Sequence, residues 1–161
     1  MKRILLACIL LLIVVACTGC RDKDDTVQES TEYGNYDNLS WDMDRADVIS
    51  YLDKRQAAYE FKGNENIAGF YFDDDYYTEY DDVRTRMAVS NNQLIGIFSD
   101  IMIKNEKERR TAFERFTGII RKHCTKEMKD TNTAYIGSNS DTWFEIVLKS
   151  DKISITYAHA L

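Results

Sequence analysis

Two histidines and four cysteines are all that this chain offers for nucleophilic chemistry at neutral pH. His123 stands beside Cys124, but neighbours on a helix point about 100° apart, so adjacency alone makes no catalytic pair. A Cys124–His159 couple would have to be assembled by the fold, because nucleophile and base meet in space and not in sequence. The reading adopted for Cys124 is structural, a buried thiol on an apolar helix face, since free cysteine is among the most buried residue types. The segment FDDDYYTEYDD, residues 72 to 82, is the other concentration of functional groups. Its carboxylates are hard oxygen donors of the kind calcium takes, yet the alternate spacing and central glycine of an EF-hand loop are missing. Its interleaved tyrosines suit a lysine- or arginine-rich protein, through cation–π contacts and charge pairs. Asp73, Asp74, Asp75, Tyr76, Tyr77 and Tyr80 are therefore the candidate partner-binding residues, set against a solvated loop whose tyrosines lie partly on the core. HExxH, GxSxG and a glycine-rich phosphate loop do not occur, and seven glycines leave little for a backbone cradle. No catalytic residue, metal site or cofactor is assigned, and an enzyme is the least favoured expectation.

Different chemistry is written at the N-terminus. Met1-Lys2-Arg3 is a short positive stretch, and Ile4 to Ala16 is an unbroken apolar run. That run falls short of the roughly 20 apolar residues of a membrane-spanning helix, and its flanks are those of a secretory signal. It closes in Val14-Val15-Ala16-Cys17, which resembles the bacterial lipobox. In that family the cysteine thiol is acylated with diacylglycerol and the chain is cut just before it. Cys17 is the preferred acceptor; Cys20, preceded by Thr18-Gly19, is the alternative. The resemblance implies a bacterial envelope lipoprotein, anchored to a lipid bilayer on its extracytoplasmic side by acyl chains such as palmitate. Each buried methylene adds about 0.8 kcal/mol to such an anchor. Cys8 would leave with the signal, so the remaining thiols do not make a disulfide framework.

Charge narrows the partners. Dropping Lys2 and Arg3 from the 21 basic and 27 acidic residues leaves 19 against 27, near −8. Such a surface repels nucleic acid and suits a cationic protein partner. Residues 21 to 38 are polar, with Val27 as the single aliphatic and no period of either kind, which reads as a flexible tether. The expected division is a signal peptide over 1–16, a lipidated cysteine and tether over 17–38, and a single domain over 39–161.

The helix that must start this domain is marked in LSWDMDRADVISYL. Asp44 can cap the free amides of the first turn, and Asp47 adds charge where the helix dipole favours it. Met43 and Val48 are spaced as a hydrophobic staple. Val48, Ile49 and Leu52 then form an apolar stripe that ends near Arg55. Trp41, Met43, Asp44 and Val48 resemble the W-G-M-S/T-x-x-x-V start found in SmpA/BamE-like outer-membrane assembly lipoproteins. Asp42 stands where that pattern has glycine, and Asp44 where it has Ser or Thr. The resemblance implies a helix-then-strands layout in the envelope and carries no binding residue.

Further on, Tyr59 to Phe61 and Ile67 to Phe72 read as strands across a Gly63-Asn64 turn. Val83, Thr85, Met87 and Val89 alternate, Asn91-Asn92 turns, and Leu94 to Ile103 returns. Asn105 with Glu108 forms a capping box for a second helix whose apolar face is Phe113, Phe116, Ile119, Ile120 and Cys124. Phe144, Ile146 and Leu148 alternate inward, Ser150-Asp151 turns, and Ile153, Ile155 and Tyr157 answer them, with a short strand near Ala134 to Ile136. The order predicts an α+β domain, an antiparallel sheet with two helices packed on one face. Its expected role is a non-catalytic binding or scaffolding module of the cell envelope, with an inhibitor or immunity protein against a cationic hydrolase or toxin as the alternative.

Overall fold

The computed structural model describes residues 36 to 160. The apolar leader, Cys17, Cys20 and most of the expected tether lie outside the described residues. The domain is α+β, an eight-stranded antiparallel sheet with two helices. Helix α1 spans Arg45–Lys54 and precedes strands β1 (Tyr59–Gly63), β2 (Ile67–Asp73), β3 (Val83–Ser90) and β4 (Gln93–Met102). Helix α2 spans Glu106–Arg121 and precedes β5 (Lys126–Thr131), β6 (Ala134–Ser138), β7 (Thr142–Leu148) and β8 (Lys152–His159). Each half is thus a helix followed by a four-stranded meander. The spatial order β1-β2-β3-β4-β8-β7-β6-β5 joins the two last strands at the centre.

Local chemistry builds these elements as their residues dictate. Asp44 accepts from the Asp47 amide at 3.0 Å, and the Asp47 carboxylate accepts from the Asp44 amide at 3.1 Å, a reciprocal capping box. Asn105 accepts from the Glu108 amide at 3.1 Å and starts α2. Asn91 and Asn92 take positive φ values of 48° and 62°, the left-handed geometry of a two-residue hairpin turn. Gly63 has a φ of +133°, and a Cβ there would sit 2.2 Å from the Ile67 carbonyl oxygen. Only glycine fits that corner.

Alternation assigns one face of the sheet to the core. Phe70, Phe72, Met87, Ile97, Phe144, Ile146, Ile153 and Ile155 are buried with Val48 and Leu52 of α1 and Phe113, Phe116 and Ile120 of α2 in one cluster. Trp41 ties the halves together before α1 begins. Its ring stacks on His159 of β8 with centroids 5.8 Å apart, and its Nε1 donates to Thr142 Oγ1 at 2.9 Å. The Met43 carbonyl accepts from the Leu94 amide at 2.9 Å, so this short stretch straddles the β4–β8 seam.

Two expectations are corrected, and one element is added. The domain begins before Leu39, because Tyr36 is fully buried and its hydroxyl donates to Asp74. Strand β5, a segment that the sequence leaves unassigned, is an edge strand with every residue exposed, so no apolar alternation marks it. Cys124 is not on α2. The helix ends at Arg121, and the half-buried thiol lies just beyond, against Gly137, where a Cβ would stand 2.6 Å from its sulfur. Burial pushes the Cys124 thiol pKa up, so at neutral pH it is mainly the unreactive thiol. Iodoacetamide should therefore alkylate Cys124 in the folded chain at least about tenfold more slowly than in the urea-unfolded chain at pH 7.5. Replacing Asp44 with alanine should lower the unfolding free energy by about 1 kcal/mol, read from urea titrations.

Candidate functional site

The acidic tyrosine segment is divided by the fold. Asp74 turns inward: its side chain is fully buried, Tyr36 and Thr85 hydroxyls donate to it, the Tyr76 amide donates at 3.0 Å and Arg55 lies 3.2 Å away. Thr85 passes the network on to Ser99, 2.8 Å away. Burial and then the Asp74 charge push the Tyr36 hydroxyl pKa far up, so it remains a donor. Tyr77 is fully buried, edge-on to Phe116 at 5.8 Å. Tyr76 packs on Tyr36 at 4.5 Å between centroids, and Tyr80 is half-buried against Phe116 at 5.9 Å. Asp74 and Tyr77 are thus removed from any surface that a partner could touch. Asp75 is exposed and paired with Arg55, while Asp73 is exposed on the far face of the sheet. Among the described residues no three of His, Cys, Asp and Glu converge as a metal site.

The far face is where functional side chains do converge. Both helices pack into the core on one side, and the outward positions of the strands carry a groove of ≈ 710 Å³ lined from β1 across to β7. Register aligns Glu60, Tyr71, Arg86, Phe98, Thr156, Glu145, Ile136 and Lys129 in one row, one residue from each strand. The beginning of that row is held by stacking. The Arg86 guanidinium lies 4.2 Å from the Phe98 centroid and 6.0 Å from that of Tyr71, and Lys62 Nζ lies 4.8 Å from Tyr71. Two glycines make room for the rings. A Cβ at Gly69 would meet Tyr71 Cε2 at 2.9 Å, and one at Gly96 would meet Phe98 Cε2 at 2.8 Å. Each ring therefore lies down along its own strand over the glycine two residues before it.

Beside this row Asp100 accepts from Lys152 Nζ at 2.7 Å and from Ser154 Oγ at 2.5 Å. Burial works to raise the Asp100 carboxyl pKa, but the Lys152 and Ser154 hydrogen bonds outweigh it and hold the value below the usual range. A wider depression of ≈ 1130 Å³ between α2 and residues 79 to 82 is lined largely by charged side chains, with Glu79 paired to Arg115.

Sequence reasoning missed Lys62, Arg86, Phe98 and Glu145. The signal was present in the strands already assigned: where Thr85 and Met87 point inward, Arg84 and Arg86 must point out. What the sequence lacked was the strand order that brings those outward residues into one row.

Three outcomes are expected. Asp74→Ala strips a buried network of its acceptor and should cost about 3–5 kcal/mol, lowering the melting temperature by roughly 10 °C or more. Arg86→Ala and Phe98→Ala should couple by about 0.5–1 kcal/mol in a double-mutant cycle read by urea denaturation. Asp100 has a folded pKa below its unfolded one, so its stabilisation is present above the unfolded value and fades as pH falls through the folded one. The pair is partly exposed and is worth less than about 1 kcal/mol. Asp100→Asn should flatten the fall in melting temperature between about pH 5 and pH 2.

No protein-family model, no curated protein and no solved structure matches this chain.

Proposed function

We propose that this protein is a lipid-anchored, non-catalytic binding module of the bacterial cell envelope, and that it docks its partner on the uncovered face of the sheet. The observation that carries the docking role is the row built around Arg86 and Phe98. A guanidinium held over an aromatic ring is pre-organised, so little side-chain freedom is lost when it meets a partner. Arginine and aromatic residues near the centre of a contact are also the side chains that concentrate binding energy. Anchoring is supported by the leader and by Cys17, with Cys20 as the alternative acceptor. A module without chemistry of its own agrees with the placement of His159 and the thiol: His159 is engaged by Trp41, while Cys124 packs on β6. The inhibitor or immunity reading keeps the acidic balance of the chain as support, but two of the residues offered for it, Asp74 and Tyr77, lie in the core.

The test uses the full chain in bacteria. A photo-crosslinking residue at Tyr71 should give discrete adducts, and the same residue at Arg110, exposed on α2, should give none. Equal labelling from both positions, or none from Tyr71, would sink the docking role. Mass spectrometry should find acyl chains on Cys17 or Cys20; an unmodified N-terminus would sink the anchor.

A further inference from the structure

The open face carries charges that the other described residues do not pair. Arg86 and Glu145 have no ion-pair partner among the described residues, although both are half-buried. They cannot reach each other within one copy. Strands β4 and β8 separate β3 from β7, three inter-strand steps or about 14 Å, and Phe98 and Thr156 stand between them in the row.

Turned about the β4–β8 seam, the same row is its own complement. The seam is the middle of the strand order, so a two-fold axis parallel to the strands there lays β3 over β7 and β4 over β8 of a second copy. Arg86 then meets Glu145 of the second copy, and Glu145 meets its Arg86. Phe98 falls on Thr156, and at the edges Glu60 of β1 falls on Lys129 of β5. In the neighbouring row the small Ala88 of β3 falls opposite the large Trp143 of β7. Self-complementarity of this kind is what an isologous contact requires.

Area and charge agree with a second copy as the occupant. Eight strands about 4.8 Å apart span about 34 Å, and central strands of seven residues or more give about 23 Å at about 3.3 Å each. The face is therefore on the order of 800 Å², one side of a standard stable interface. Charged residues lining the groove number four of each sign, so two such faces meet without the repulsion that the acidic chain would otherwise impose. Facing sheets hold their strands within about 30° of each other. The match is closest at the seam, where the Arg86 and Glu145 contacts lie, and loosens toward β1 and β5.

We infer that the open face pairs with the same face of a second copy of this chain, through reciprocal Arg86–Glu145 ion pairs on either side of a Phe98–Thr156 centre. This rests on the open face being the docking surface and names what occupies it. Full-length chains carrying two different tags are co-expressed with a photo-crosslinking residue at Thr156, beside the axis, and the dimer-sized adduct is measured. The parent should give that adduct. R86E alone or E145R alone should reduce it at least about tenfold. Co-expressing R86E with E145R restores both pairs in the mixed dimer, one with its polarity reversed and one as in the parent, so a mixed-tag adduct should return to within about threefold of the parent. Its return also shows that both variants fold. A parent without a dimer adduct, single variants that keep it, or a mixture that fails to regain it would each overturn self-pairing. If Thr156 labels a different protein instead, the docking face stands and the second copy is wrong. If the open face labels nothing, both readings fall together.

Discussion

A carboxylate taken wholly out of water has to be met by hydrogen-bond donors, or its burial costs the fold dearly. Asp74 is such a group, and much of the domain is arranged around meeting it. Its donors come from four places: Tyr36 ahead of α1, Arg55 at the end of α1, Thr85 in the centre of β3, and the backbone of its own turn at Tyr76. That one side chain fixes where the domain begins and how α1 sits over the sheet. It also draws Tyr76 and Tyr77 down onto the core. An acidic, tyrosine-rich loop that looks like a surface for recognition is thereby spent largely on structure.

The second constraint is topological. Two helix-plus-meander halves meet through their last strands, and both helices join the same core. Among the described residues, one face of an eight-stranded sheet is consequently covered and the other is left open. Antiparallel sheets tolerate this, because their alternation can place polar residues outward. Here the outward set is not merely polar. Rings lie flat over Gly69 and Gly96, cations stack on them, and Arg86 and Glu145, one strand to either side of the seam, have no ion-pair partner among the described residues. The seam itself is braced from the covered side by Trp41, which reaches from the first half to β7 and β8 of the second.

Much of this fold is legible in the sequence where the determinants are local. The Asp44–Asp47 box, the Asn105 cap and the Asn91-Asn92 turn act over four residues or fewer, and period-two burial announces β3, β4, β7 and β8. What is not legible depends on distant partners. Strand β5 has no apolar face, since it is an edge held by β6 and by the ion pairs of Arg121 with Glu127 and Asp130. Tyr36 looks like tether until Asp74 is known to be buried. Cys124 continues the apolar spacing of α2, but the chain has left the helix by then to reach β5. The open-face row was hidden for the same reason: each of its members is an ordinary outward residue, and only the strand order places them side by side.

The central claim, that the uncovered face is the working surface, can be tested most directly by oxidative footprinting. The full chain in intact envelopes is compared with the purified chain at high dilution, and hydroxyl-radical labelling is read residue by residue. The account predicts that Tyr71, Phe98 and Trp143 are protected in the envelope, while Met128 and Phe61, exposed off that row, label equally in both states. Equal labelling of Tyr71, Phe98 and Trp143 in the two states would contradict it.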